Sequence, residues 1–157
     1  MTATNRSGLI FEREIKEGAK AFSIHIRKLP VSQGVRESGG SYKIDSAYDF
    51  FAVYDGVPAA IECKASRVFG LFPFARVQKH QVEALSEMKN AGGVGVILIC
   101  YGTGRKKRAF ILDIDEYLRL RDSGDRKSLS LEQVLSLPEL ERIRGGWDIR
   151  IIFRRSE

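Results

Sequence analysis

Apolar residues recur along the 157-residue chain with two periods, and the changes between them outline the elements. Over residues 7–22, SGLIFEREIKEGAKAF, the apolar Phe11, Ile15, Ala19 and Phe22 fall at helical spacing. Acidic residues come early and lysines late, as a helix dipole prefers, so a first helix is expected. FSIHIRKL then alternates Phe22, Ile24 and Ile26 against polar partners, the pattern of a strand with one buried face. PVSQGVRESGGSYKID is rich in Gly and Ser, has no periodic apolar face, and is expected to form an exposed, mobile loop at about 30–46. Two strand-like runs, YDFFAVY and VPAAIECKAS, flank Asp55-Gly56. After SRVFGLFPFAR, a loop with Phe69, Phe72 and Phe74, a second helix is expected at about 75–90, with Val77, Ala84, Leu85 and Met88 on its buried stripe. VGVILICYG reads as a central strand and KKRAFILDI as its neighbour, joined by the basic turn GTGRK. Residues 113–122 and 129–137 read as short helices, and WDIRIIF as a closing strand. With no repeat or linker, this order implies an α/β fold over 1–157: a single domain whose central mixed sheet is flanked by helices.

The composition, 43% hydrophobic and 29% charged, is that of an ordinary globular chain. No apolar run approaches the ~20 residues of a membrane-spanning helix, and MTATNRSG lacks the apolar core of a secretion signal. A cytoplasmic protein without a membrane partner is expected, in a cell or a phage-infected host. Cys63 and Cys100 lie in separate apolar runs without C-x-x-C spacing, which points to buried reduced thiols rather than a zinc site or a disulfide. The formal charge of +6 favours a polyanionic partner, of which nucleic acid is the commonest.

The chemistry lies in the two runs around Asp55-Gly56. A two-residue type I′ turn there sets Tyr54 opposite Val57, Phe51 opposite Ala60, and Asp49 opposite Glu62. Lys64 shares the face of Glu62, because strand side chains alternate. Opposed carboxylates repel, and partial burial adds a desolvation cost of several kcal/mol per ion. A divalent cation is the natural compensation, and oxygen ligands of this kind suit Mg²⁺. Lys64 is placed to orient or deprotonate an attacking water and to stabilise charge on a phosphate. A salt-bridged surface cluster is the plainer alternative, but the neighbouring residues are too apolar for a solvated face. Without metal, Asp49→Asn is expected to relieve the repulsion and stabilise the protein.

Asp49, twelve residues, Glu62, one residue, Lys64 resembles the D…ExK signature of the PD-(D/E)xK nucleases, with Tyr48 where the motif's proline would stand. The segment FPFARVQKHQVEALSEMKNAGGVGVILI is similar to that of RecU-type Holliday junction resolvases, which carry an F-P element, an HQ pair opening a helix, and a strand. Archaeal-type resolvases share this superfamily. The resemblance implies a restriction-endonuclease-like core. It implies a Mg²⁺-dependent endonuclease, with Mn²⁺ able to substitute, that resolves four-way DNA junctions by paired symmetric nicks as a homodimer. Another repair or restriction nuclease of the superfamily is the alternative within enzymes. A non-catalytic basic DNA-binding protein is a third, although binding alone gains nothing from opposed carboxylates.

Carried over residue by residue, Asp49, Glu62 and the main-chain carbonyl of Cys63 would bind metal, and Lys64 would be the catalytic lysine. Glu12 would be an acid beside the metal, or else an ordinary acid serving the helix dipole. Gln81 falls on the apolar stripe, where a buried amide must be satisfied by the backbone or by the site. His80 reads as a phosphate contact or plain surface rather than a base. The 30–46 loop falls where RecU-type enzymes project a stalk, shorter here, with Arg27, Lys28, Arg36 and Lys43 available for phosphates. Arg67, Arg76 and Lys79 are further candidates for DNA. Arg105, Lys106 and Lys107 join Arg108 in the densest basic run, which either binds DNA or protects a sheet edge. The three phenylalanines either plug the core or build a dimer interface.

Overall fold

In the computed structural model, which describes residues 3–154, the first helix α1 spans Ala3–Ala21 and buries Phe11, Ile15 and Ala19. Strand β1 (His25–Lys28) follows. The segment expected to lack regular structure instead forms a hairpin of β2 (Ser32–Val35) and β3 (Ser41–Ile44). Burial periodicity could not reveal it, because the hairpin joins no core: Val35, Tyr42 and Ile44 are all exposed. Its support is cross-strand. The Tyr42 ring lies against Gly34 on the facing strand, where a Cβ would come within 2.3 Å of the ring.

Strands β4 (Phe50–Tyr54) and β5 (Val57–Ser66) meet at Asp55 and Gly56, whose φ angles of 49° and 74° make the type I′ turn that the sequence demands. Tyr54 pairs with Val57 and Phe51 with Ala60, the expected register. Next come β6 (Phe72–Pro73), α2 (Lys79–Asn90), β7 (Val94–Tyr101), β8 (Arg108–Asp113) and α3 (Ile114–Asp122). Then β9 (Ser128–Leu129) pairs with β6, and α4 (Leu131–Leu135) is capped by Ser130. A last hairpin joins β10 (Glu141–Ile143) to β11 (Gly146–Asp148).

The central five-stranded sheet has the order β1-β4-β5-β7-β8. Only β5 and β7 are parallel, and α2 makes the crossover between them. Both are buried on both faces, which explains their near-continuous apolar sequence. Ile61, Cys63, Ala65, Val96 and Leu98 face α1 and the C-terminal segment; Ala60, Ile97, Ile99 and Tyr101 face α2 and α3.

WDIRIIF does not close the sheet. Only Trp147 and Asp148 are in strand, in the small β10–β11 hairpin, and Arg150–Phe153 form a 3-10 turn. Ile149 and Ile152, three residues apart, are buried together, a spacing that suits a tight turn better than alternation. The hairpin docks on α1 at Gly18, where a Cβ would lie 1.7 Å from the Trp147 carbonyl oxygen, so no larger residue fits. Phe72 and Phe74 are buried in the α2-side core, and Phe69 packs on Tyr101 at 5.4 Å. The phenylalanines therefore fill the core, and the exposed apolar residues of that loop are Val68 and Leu71.

Candidate active site

The β4–β5 ladder ends one residue short of Asp49. The Asp49 N–H donates to the carbonyl of Ile61 at 3.1 Å, stepping out of the register that pairs Phe50 with Ile61. This leaves the Cys63 N–H without a main-chain partner on that side, and Asp49 Oδ2 accepts it at 2.8 Å. A ladder bond is thus replaced by a side-chain bond, which fixes the carboxylate against β5 beside Glu62.

Glu62 is 2% exposed. Its Oε1 accepts from Gln81 Nε2 at 2.9 Å and pairs with Lys64 Nζ at 3.0 Å, while its Oε2 is buried with no partner among the described residues. Burial, followed by the Asp49 charge, pushes the Glu62 carboxyl up to about 7 against the pull of Lys64 and Lys28. Gln81, half-buried rather than fully buried, answers both readings of its amide. As the third residue of α2, its Oε1 accepts the Gln78 N–H at 2.9 Å in a capping box, with Lys64 Nζ at 3.4 Å. The helix cap therefore holds the amide that orients Glu62. Tyr48, in the place of the motif's proline, packs half-buried against the α2-side core.

On the α1 side, Lys28 stands between two carboxylates. Its Nζ lies 2.7 Å from Glu12 Oε2 and 3.0 Å from Asp49 Oδ1. Burial disfavours its charge, but the bonds and charges of Glu12 and Asp49 outweigh that and raise its pKa. Sequence reasoning placed Lys28 among phosphate contacts and missed this position. No short-range signal gives it, because Lys28 pairs with Phe50, a residue far along the chain and across segments of unrelated pattern. The structure thus gathers Glu12, Asp49, Glu62, Lys64 and Gln81, as the sequence implied, and adds Lys28.

Among the described residues no three His, Cys, Asp or Glu side chains converge to hold a metal ion by themselves. An ion at Asp49 and Glu62 would need main-chain and solvent oxygens as well, which is how Mg²⁺ is commonly bound. The residues fit such an ion: Glu62 Oε2 is a buried, unpartnered acceptor beside a second carboxylate. The Cys63 thiol is buried and raised well above its usual pKa by burial, then by Asp49, so it is no thiolate ligand. Cys100 is pushed up to about 12 by the same cause.

The basic candidates divide. Arg27, Arg36, Lys43, Arg67, Lys79, Arg105 and Lys106 are exposed. Arg76 instead turns inward, donating to Ser66 Oγ at 2.6 Å and to the Ala65 carbonyl at 3.0 Å, over the Phe72 ring. Lys107 is drawn into an ion pair with the buried Glu14 at 2.5 Å, which Arg142 also reaches at 3.2 Å. His80 is half-buried, with no partner for its Nε2 among the described residues.

This arrangement has relatives. The fold is similar to that of Hjc, a Holliday junction resolvase from the archaeal hyperthermophile Archaeoglobus fulgidus. The TM-score is 0.52 at 15% identity, covering 84% of this chain and 95% of that one. No curated protein sequence matches the chain. The family described as recombination protein U, RecU, matches residues 11–149, which take in the C-terminal half of α1, the whole central sheet and every residue gathered at the site. The chain belongs to the RecU family.

Proposed function

We propose that this protein is a Mg²⁺-dependent endonuclease that resolves four-way DNA junctions by paired symmetric nicks, acting as a homodimer. Membership of the RecU family and the likeness to a Holliday junction resolvase support the substrate class. The observation that carries the catalytic reading is the buried, unpartnered Glu62 Oε2, set beside Asp49 and Lys64. A buried carboxylate oxygen with no donor is costly. Such a cost persists where it serves a function.

Asp49, Glu62 and the Cys63 carbonyl would hold the ion. Bound there, Mg²⁺ supplies Lewis acidity and positive charge at the scissile phosphate. The rest falls to the chain. Gln81 fixes the Glu62 carboxylate, and the Cys63 N–H fixes Asp49, so neither reorganises during reaction. Lys64, 17% exposed, is near enough to the surface to donate to a phosphate oxygen as negative charge develops. Affinity comes from exposed basic residues, including Arg36 and Lys43 on the β2–β3 hairpin, which also exposes the apolar Val35. Two nicks of matched polarity need two sites, which a two-fold dimer supplies. No helix among the described residues is long and apolar enough to cross a membrane, in keeping with a DNA-acting protein of the cytoplasm.

The test is to incubate the protein with four-way junction, linear duplex and single strand, with and without Mg²⁺, and to map the cuts. Symmetric nicks in the junction alone, dependent on Mg²⁺ and absent in Lys64→Ala although it still binds, are expected. Equal cutting of linear duplex favours a repair or restriction nuclease. No cutting leaves a DNA-binding protein.

A further inference from the structure

Glu12 belongs to the site, yet its carboxylate is already neutralised. Lys28 Nζ lies 2.7 Å from Glu12 Oε2 and 3.0 Å from Asp49 Oδ1, bridging the two as a small cation would. Three features hold it there. Lys28 pairs with Phe50 in the β1–β4 ladder, and the next bond, Leu29 N–H to the Asp49 carbonyl at 2.9 Å, ties the two main chains together. The ammonium also sits 5.3 Å from the centre of the Phe50 ring. Only Asp49 is shared: its Oδ1 faces Lys28, its Oδ2 is taken by Cys63, and Glu62 lies on the other side with Oε2 unpartnered.

We infer that Lys28 is the resident cation of the Glu12 side of the site, excluding a divalent ion from between Glu12 and Asp49, so that each chain loads one ion, at Asp49 and Glu62. The inference rests on the divalent-ion reading above and narrows it. Geometry and charge agree. Carboxylate oxygens approach Mg²⁺ at about 2.1 Å, so an ion and an ammonium cannot both fill this gap. Formally the carboxylates of Glu12, Asp49 and Glu62 face the ammonium groups of Lys28 and Lys64, three negative charges against two positive. One divalent ion brings that sum to +1, which the single charge of a scissile phosphate cancels. A second ion would leave the loaded site strongly positive. Glu12 is then a positioning residue acting through Lys28 rather than a ligand.

Calorimetric titration with Ca²⁺, without DNA, decides this without reference to cleavage. The wild type should bind one ion per chain, and Lys28→Gln two. Lys20→Gln removes the same charge from an exposed position of α1 and should stay at one. Glu12→Gln should change the affinity of the single ion by less than about threefold, whereas loss of a true ligand costs tenfold or more. In chelator, Lys28→Gln should melt below wild type and gain more from Ca²⁺. Two ions on the wild type, one on a folded Lys28→Gln, or a tenfold loss in Glu12→Gln would overturn the inference while leaving the divalent-ion reading intact. Should Lys28→Gln not fold, the wild-type stoichiometry and Glu12→Gln still decide. No ion on any variant would overturn both.

Discussion

Gln81 Nε2 donates to Glu62 Oε1 at 2.9 Å from the first turn of α2, so the orientation of a strand carboxylate depends on how a helix begins. The other end of the same amide accepts the Gln78 N–H, which leaves it no freedom to turn. Gln81→Ala removes both contacts. It should lower stability by about 1–2 kcal/mol, the cost of a lost cap and a lost buried bond. Cleavage should fall at least tenfold, with junction binding retained. Melting curves and cleavage rates measured together check this, and a stable, fully active Gln81→Ala would separate the cap from the site.

Glu62 should make the metal-free protein less stable as pH rises. Its carboxyl titrates near 4.5 when unfolded and at about 7 when folded, because of burial and then the Asp49 charge. Between those values the native state binds more protons than the unfolded one, so stability falls with rising pH and the full cost stands above 7. The difference is on the order of 3 kcal/mol. In chelator, wild type should melt higher at pH 5 than at pH 8. Glu62→Gln should lose that slope and exceed wild type at pH 8. A wild type indifferent to pH across this window would show that Glu62 is not held as the geometry implies.

The hairpin register was legible because a two-residue Asp-Gly turn admits few alternatives, and it puts Glu62 and Lys64 on one face; Asp49, expected opposite Glu62, instead lies one residue past the paired strands and is held beside them by the Cys63 N–H. Gln81 was legible as a polar residue on an apolar stripe. What escaped are contacts between elements distant in sequence. Nothing local says that Lys28 faces Glu12, that Gly18 receives the Trp147 carbonyl, or that Lys107, inside a basic run, is spent on the buried Glu14. The β2–β3 hairpin escaped for the opposite reason: it buries nothing, and burial is what periodicity reports.

Lys106 and Lys107 are neighbours with opposite environments, and their substitutions should differ in kind. Lys107 is 13% exposed and paired with the buried Glu14, so Lys107→Ala leaves that acid with Arg142 as its remaining ion-pair partner among the described residues. A loss of roughly 2–4 kcal/mol is expected. Lys106 is exposed. Lys106→Ala should leave the melting temperature within about a degree but weaken junction binding and reduce its salt slope by roughly one. Thermal melts and binding at two salt concentrations distinguish the pair, and equal stability of the two variants would contradict the burial of Lys107.

Asp49→Asn should destabilise the metal-free protein, the reverse of what repulsion between opposed carboxylates suggests. Repulsion assumes that Asp49 has no other partner. In the structure Oδ1 accepts from Lys28 Nζ at 3.0 Å and Oδ2 accepts the Cys63 N–H at 2.8 Å. An asparagine has one acceptor oxygen, so whichever way its amide turns, its NH₂ meets either the ammonium or the buried N–H. Leaving such a donor unsatisfied costs roughly 1–3 kcal/mol. Against this stands the relief of Glu62, whose carboxyl feels the Asp49 charge as its second influence after burial. That relief exists only where Glu62 is ionised. The destabilisation by Asp49→Asn should therefore be largest near pH 5, where Glu62 is protonated, and smaller at pH 8. Melting the variant and wild type in chelator at both pH values tests the argument. An Asp49→Asn protein that melts higher than wild type at pH 5 would mean that neither Lys28 nor the Cys63 N–H depends on this carboxylate.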